Sequence, residues 1–390
     1  KIIESSDVNL AELGTFQLHN MVISVVDPVT AYVDLMSKLF DFDAIKDLIA
    51  GDFKFAFDAM HAVTGPYAKA IFVDRLDAAP SSLMNATPLP DFGGGHPDPN
   101  PVYAAELFKV MFAKDAPDFG AASDGDGDRN IVLGKNRAIS PSDSLAIITA
   151  NAHHIPAFAE GLTGVARSMP TSRAVVRVAE RLGIEHFETP TGWKFFGNLL
   201  DAGRITLCGE ESAGTGANHV REKDGLWAIL CWLNIIAARK MSVDEIVRDH
   251  WATYGRNFYS RHDYEGVDPS KADAVMDRLL GSLDTLPGQS FGLETVSAAK
   301  EFEYSDPVDG SFTQKQGIII EFESGARLIF RKSGTGTVGA TLRVYLEKPE
   351  QEPDNFEIDT QIYLRDLIEI ARELSDIQHT TGREEPSVIS

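Results

Sequence analysis

The chain reads as an α/β protein, two successive mixed-sheet α/β domains followed by a smaller α+β domain. Three observations predict this. Strand and helix patterns alternate from Met21 to Leu133, and again from Ser142 to Lys240, which is the signature of sheets layered with helices. From about Gly255 the texture changes to hairpin-linked strands closed by a helix. The 390 residues exceed what one core supports and fit roughly two to four domains. The pattern divides them into residues 1–139, 140–256 and 257–390.

In order, Met21 to Val26 (MVISVV) is apolar but for Ser24 and predicts a buried strand, followed by a helix from about Pro28 to Leu48. Phe53 to Met60 alternates and predicts a strand that ends in a loop at His61 to Pro66, with a helix from Tyr67 to Asp74. Asp91 to Asn100 (DFGGGHPDPN) is a Gly/Pro loop before a helix from Val102 to Ala113. Phe119 to Leu133 reads as strand, loop, strand. Pro141-Ser142-Asp143 is a capped helix start and a boundary. The second unit continues with strand Gly164 to Ser168, helix Ser172 to Leu182, strand Ile205 to Cys208 and helix Gly225 to Lys240. Leu226 to Ala238 is apolar but carries Asn234, which suits a buried helix. In the last unit Gly317 to Phe322 and Arg327 to Phe330 are joined by Glu323-Ser324-Gly325-Ala326, a hairpin signal. A strand at Thr341 to Glu347 and a helix at Ile358 to Ile377 complete it, with Ile362, Leu367, Ile370, Leu374 and Ile377 on one face.

A hydrophobic content of 43% and a charged content of 24% are ordinary for a globular protein. The net charge of −22 argues against nonspecific binding to nucleic acid or an anionic membrane. Basic residues set among glycines therefore point to local anionic ligands. Two cysteines, Cys208 and Cys231, make no disulfide framework and suit a reducing compartment. No apolar run is long enough to span a bilayer, and no secretory signal opens the chain. It begins at Lys1, in a polar segment, and is expected to be cut from something longer.

The most informative stretch is Asp124-Gly-Asp126-Gly-Asp128-Arg129. Three carboxylates within five residues repel unless a cation sits among them, and a hard ion such as Mg²⁺ takes oxygen ligands. The glycines let the backbone curl so that the acids converge. Arg129 is placed to clamp a phosphate through its fork of donors. An EF-hand is disfavoured because Arg129 stands where it needs Gly and Lys135 where it needs Glu. A plain surface turn is the other reading; it does not require three acids and an arginine between apolar runs.

Three further loops carry chemistry. In Cys208-Gly-Glu-Glu-Ser-Ala-Gly, Glu210 and Ser212 lie two apart and can point the same way. A carboxylate beside a hydroxyl suits paired sugar hydroxyls, and a turn with solvated acids is the alternative. Arg221-Glu-Lys223-Asp-Gly225 alone is a solvated helix start, whereas beside a sugar-phosphate site Lys223 could move a proton. Arg331-Lys-Ser333-Gly334-Thr335-Gly336-Thr-Val-Gly339 contains G-x-G-x-x-G, but the alternating run that follows predicts a strand and so not a dinucleotide fold. Its hydroxyls, backbone amides and flanking Arg331 and Arg343 suit a phosphate dianion.

Together with ETPTGWKFFGNL (Glu188 to Leu199), HVREKDGLWA (His219 to Ala228), EYSDPVDGS (Glu303 to Ser311) and the closing TGREEPSVIS, these loops resemble the α-D-phosphohexomutase superfamily over nearly the whole chain, eukaryotic-type phosphoglucomutase most of all. The resemblance implies a C-terminal phosphate-binding domain, and Mg²⁺ on Asp124, Asp126 and Asp128 with Arg129 beside the transferring phosphoryl group. It implies that Thr191 and Gly192 choose the sugar's orientation, that Glu210 and Ser212 hold its hydroxyls, and that Lys223 is the candidate general acid. Arg331, Ser333, Gly334, Thr335, Gly336 and Arg343 would hold the non-reacting phosphate. The implied activity is reversible conversion of glucose 1-phosphate and glucose 6-phosphate through glucose 1,6-bisphosphate, in a cytoplasmic monomer. One departure stands out. The family's phosphoserine lies in a T-A-S-H-N-P-like loop, and no Ser-His-Asn-Pro occurs here, so the chain is expected to start at the family's second domain and to be inactive alone. A catalytically silent sugar-phosphate-binding paralogue is the alternative.

Overall fold

The computed structural model describes residues 12–333 and 339–390. It opens on an antiparallel hairpin, β1 (Gly14–Leu18) with β2 (Met21–Val25). The strand at Met21 was expected to be buried, but Met21 and Val22 are 56% and 66% exposed. Two strands alone cover little of either face. The helix expected from Pro28 to Leu48 is two helices, α1 (Val29–Leu39) and α2 (Phe42–Ala50). The break falls where Asp41 caps α2 by accepting from the Ala44 amide.

The first mixed sheet has the order β4-β3-β5-β6-β7, built from β3 (Phe55–Asp58), β4 (Leu83–Met84), β5 (Phe119–Ser123), β6 (Asn130–Gly134) and β7 (Arg137–Ile139). β3 is parallel to β4 and β5, while β5, β6 and β7 form an antiparallel meander. Helix α3 (Thr64–Ala68) starts three residues before the expected Tyr67 and runs on as a π-helical turn, Lys69–Arg75. Helix α4 (Ala105–Met111) is shorter than expected.

The second mixed sheet runs β11-β10-β8-β9, from β8 (Gly164–Ser168), β9 (Glu185–Thr189), β10 (Leu207–Gly209) and β11 (Thr215–Ala217), with only β11 antiparallel. Its helices are α5 (Pro141–Asn151), α6 (Ala174–Leu182), α7 (Trp193–Asp201), α8 (Gly225–Arg239) and α9 (Val243–Tyr254). Ser140 caps α5 by accepting from the Asp143 amide. Helix α8 is buried from Gly225 to Ile236 and joins both α/β units in one core with Phe57, Val132 and Val165. Its Asn234 is satisfied there: Oδ1 accepts from the Asp41 amide at 2.9 Å, and Nδ2 donates to the His154 carbonyl at 2.9 Å.

The third unit is an antiparallel seven-stranded sheet of order β13-β14-β17-β18-β19-β12-β20. Its strands are β12 (Arg256–Val267), β13 (Ser290–Phe291), β14 (Glu294–Glu301), β17 (Ile318–Phe322), β18 (Arg327–Ser333), β19 (Ala340–Glu350) and β20 (Val388–Ile389); β15 (Tyr304–Ser305) and β16 (Phe312–Thr313) pair separately. The strand at Ala340 is what disfavours a dinucleotide fold. One face, with Ile318, Ile320, Leu328, Phe330 and Leu342, packs in a core with α10 (Pro269–Ser282) and α12 (Arg365–Ser375). Period-two alternation sends Arg327, Arg331, Arg343 and Glu347 to the other face. The expected helix from Ile358 to Ile377 is instead α11 (Thr360–Tyr363), α12 and α13 (Ile377–Thr381). Leu367, Ile370 and Ile377 are buried, but Ile362 is 66% exposed, because the helix is interrupted at Leu364 and the stripe loses its phase.

Candidate active site

The acidic loop is the tip between β5 and β6. Asp124, 2% exposed, organises it: Oδ1 accepts from the Gly127 and Arg129 amides at 3.1 and 3.0 Å, and Oδ2 from Arg129 Nε at 2.7 Å. Gly127 has φ 84°, which only glycine adopts at little cost. One carboxylate oxygen from each of Asp124, Asp126 and Asp128 lies within 4.8 Å of the others. An all-oxygen donor set at that spacing fits Mg²⁺.

Arg129 is held on two sides. Its Nη1 donates to Asp98 Oδ1 at 2.8 Å, a residue of the HPDPN loop, while its Nε is bound to Asp124. Burial weighs against its charge, but Asp124, Asp98 and Asp128 hold the guanidinium above its ordinary value. The backbone next to it reaches the second unit: the Asn130 amide donates to the Ala213 carbonyl at 3.0 Å. The amide of Gly225, at the start of α8, donates to the Gly127 carbonyl at 3.0 Å. A Cβ on Gly225 would stand 2.4 Å from the Arg129 carbonyl oxygen, so the close approach requires glycine.

Lys223 bridges the two loops. Its Nζ is 3.2 Å from Asp128 Oδ2 and 3.8 Å from Glu210 Oε2. Glu210, just past β10, accepts from the Gly192 amide at 3.2 Å and from Ser212 Oγ at 3.4 Å. Burial pushes its carboxyl up, the Glu211 charge adds to this, and Lys223 pulls the other way. Glu211 turns elsewhere, accepting from Ser168 Oγ at 2.8 Å and from Tyr345 Oη at 3.2 Å.

The sheet of the third unit reaches this point through Arg331, whose Nη2 donates to Thr191 Oγ1. Arg331 is paired directly across from Arg343, and Arg343 across from Asp263. Asp263 Oδ2 lies 3.7 Å from Arg343 Nε and 3.0 Å from Arg261 Nη2. Two facing cations with one buried carboxylate leave a positive surface, as an anion site needs. Ser333 ends β18 opposite Thr341. Gly334, Thr335 and Gly336 lie outside the described residues. A continuous path therefore runs Asp128, Lys223, Glu210, Gly192, Thr191, Arg331.

Sequence reasoning missed several residues. Asp98 sits in a loop noticed only for its Gly and Pro content. A buried ion network joining the second and third units was also missed. Arg327 pairs with Glu347 and donates to the Met169 and Thr171 carbonyls at 3.0 and 2.6 Å. Glu347 also accepts from Ser172 Oγ at 2.8 Å and from the Arg173 amide at 2.7 Å, just before α6. Burial pushes Glu347 up, but Arg327, Arg167 and the hydrogen bond from Asn257 outweigh it and hold it at about 2.

Two mixed α/β units and a seven-stranded antiparallel sheet, converging on an acidic oxygen-ligand loop and an arginine pair, define the phosphohexomutase class. Residues 30–137 match the family model "Phosphoglucomutase/phosphomannomutase, alpha/beta/alpha domain II", residues 141–254 match domain III, and residues 256–387 match "Phosphoglucomutase-1, C-terminal domain". The phosphoglucomutase of Rhizobium radiobacter is 57% identical over 390 residues, covering 100% of this chain and 72% of that protein. The chloroplastic phosphoglucomutase 1 of Marchantia polymorpha is 53% identical over 395 residues, covering 98% and 61%. The open form of pp63/parafusin, a phosphoglucomutase from Paramecium, superposes with a TM-score of 0.89 at 48% identity, covering 98% and 69%. The chain belongs to the phosphoglucomutase/phosphomannomutase family, on the phosphoglucomutase side. It spans between 61% and 72% of the length of these relatives.

Proposed function

We propose that this chain forms the metal-, sugar- and phosphate-binding parts of a phosphoglucomutase that interconverts glucose 1-phosphate and glucose 6-phosphate through glucose 1,6-bisphosphate in the cytoplasm. Residues 1–139 carry the metal loop, 140–256 the sugar loops and 257–390 the phosphate clamp. The observation that carries this reading is the placement of Lys223 between Asp128 and Glu210, with Glu210 in turn joined through the Thr191–Gly192 loop to Arg331.

Asp124, Asp126 and Asp128 would hold Mg²⁺, which when bound offsets negative charge on a transferring phosphoryl group. Arg129, fixed by Asp98 and Asp124, presents its remaining donors to that group. Glu210 and Ser212 hold sugar hydroxyls. Lys223 Nζ is the general acid, giving a proton to the oxygen that loses its phosphoryl group and taking one back in reverse. Arg331, Ser333, Gly334, Thr335, Gly336 and Arg343 grip the phosphate that does not react. The donor is a phosphoserine of the family's type, and these residues contain no such loop. The bisphosphate then turns over in the cleft and returns its other phosphate.

The test is a coupled assay of glucose 1-phosphate conversion by the native protein, with Arg331→Ala and Lys223→Ala alongside. The reading expects a raised KM for the first and a lowered kcat for the second. Parent-like kinetics in both would overturn it.

A further inference from the structure

The motif EYSDPVDGS has no part in the site as described, yet it touches the element that carries the sugar loop. Its turn is tightly built. Asp306, 2% exposed, accepts the Val308 amide at 2.8 Å on Oδ1, and Asp309 Oδ1 accepts the Ser311 amide at 2.8 Å. Both carboxylates spend their other oxygen on one side chain in α7: Asn198 Nδ2 lies 3.0 Å from Asp306 Oδ2 and 3.2 Å from Asp309 Oδ2. An amide nitrogen has two hydrogens, and both are used. One turn earlier on the same helix, Phe195, 4% exposed, meets Tyr304 edge-on at 5.5 Å and shares a buried cluster with Phe302, Ile319 and Ile329 of the third unit. Helix α7 is thus anchored to the phosphate-clamp unit at two successive turns.

The start of α7 follows Thr191-Gly192. Gly192 has φ 122°, a conformation that holds the loop in a shape few other residues accept. Thr191 is bound to Arg331 and the Gly192 amide to Glu210. The Arg331 contact cannot be the lasting tie, because a phosphate on Arg331 competes for the same guanidinium donors. The Asn198 contact lies about 10 Å further along the helix, outside the clamp, and does not compete.

We propose that Asn198 is a positioning residue: gripped by the Asp306–Asp309 turn, it makes the Thr191–Gly192 loop travel with the phosphate clamp, so that seating the phosphate sets the loop that orients the sugar. This rests on the proposed function of the site. It gives the unabsorbed motif a role as the brace that couples two binding events made on different sheets.

The test is amide hydrogen exchange on the native protein, with saturating inorganic phosphate as the probe. In the parent, phosphate should slow exchange both in the clamp strand, residues 327–333, and in residues 189–201. In Asn198→Asp, which sets a third carboxylate against two, the clamp should still respond while the 189–201 response disappears. KM for glucose 1-phosphate should rise about fivefold to tenfold. The double variant Asn198→Asp/Asp309→Asn restores one donor–acceptor pair with reversed polarity but leaves the new carboxylate facing Asp306, so it should recover part of the response. Asp309→Asn alone, at an exposed turn position, gives a milder loss should Asn198→Asp not fold. A clamp that responds without residues 189–201 in the parent, or an Asn198→Asp variant that behaves as the parent, overturns the brace and leaves the function intact. A parent whose clamp responds to neither phosphate nor glucose 1-phosphate sinks the function, and the brace with it.

Discussion

At the scale of residues, the proposed chemistry depends on how Arg129 is held. Asp98 and Asp124 fix two of its nitrogens and leave the rest of the fork to a ligand. Asp98→Asn keeps the shape but removes the ion pair with Arg129. It is expected to lower kcat by about tenfold with little change in KM, read in the coupled assay. An unchanged kcat would place the orientation of Arg129 elsewhere. Asp126→Ala should abolish metal-dependent turnover, and metal-dependent activity that survives would count against the triplet. The acidic triplet was legible because three acids in five residues have few bland explanations. Glu210 was legible from its spacing to Ser212. Asp98 was not, since its partner is 31 residues away and pairing at that separation leaves no local pattern. The structure separates Glu210 from its neighbour Glu211: Glu210 faces Lys223, while Glu211 turns to Ser168 and Tyr345.

At the scale of elements, the proposed site depends on α8 starting hard against the acidic loop. Gly225→Ala would force a methyl to 2.4 Å from the Arg129 backbone oxygen, so the main chain would have to shift. We expect a loss of about 2 kcal/mol or more in denaturant unfolding, together with weaker metal dependence. Full stability in the variant would show that the approach is looser than it looks. The same element explains which parts of the fold the sequence shows. Helix α8 and the β17–β18 hairpin are self-contained patterns, an apolar run and a turn between alternating strands, and both form as expected. The first and last helices were drawn too long because apolar periodicity runs through Asp41 and Leu364 without registering the breaks. Strand β9 was missed since four of its five residues, Glu-His-Phe-Glu-Thr, are polar and it lies at a sheet edge. Helix α9 should have been found, because Ser242 and Glu245 form a capping box that can be read directly.

At the scale of the molecule, the seven-stranded sheet of the third unit is fastened to the second α/β unit by buried charge. Glu347 is depressed from 4.5 to about 2 in the folded chain. Its stabilising contribution is therefore complete above the unfolded value and is lost as pH falls from about 4.5 through about 2. Acid unfolding followed by tryptophan fluorescence should lose part of this dependence in Glu347→Gln; an unchanged acid limb would contradict it. Arg327→Met, which strands Glu347 without its main partner, should cost about 3–5 kcal/mol. Nothing in the spacing of Arg167, Arg327 and Glu347 announces this network, since it exists only once the two sheets meet.

The central claim is that the acidic loop, the Lys223–Glu210 pair and the arginine clamp form a single site for a glucose phosphate. The most direct measurement is conversion of glucose 1-phosphate by the native protein, following glucose 6-phosphate and inorganic phosphate together while Mg²⁺ and a trace of glucose 1,6-bisphosphate are added in turn. The account predicts glucose 6-phosphate formed one for one, dependent on both additions, with no phosphate released. Phosphate release without glucose 6-phosphate, or no dependence on the metal, would contradict it.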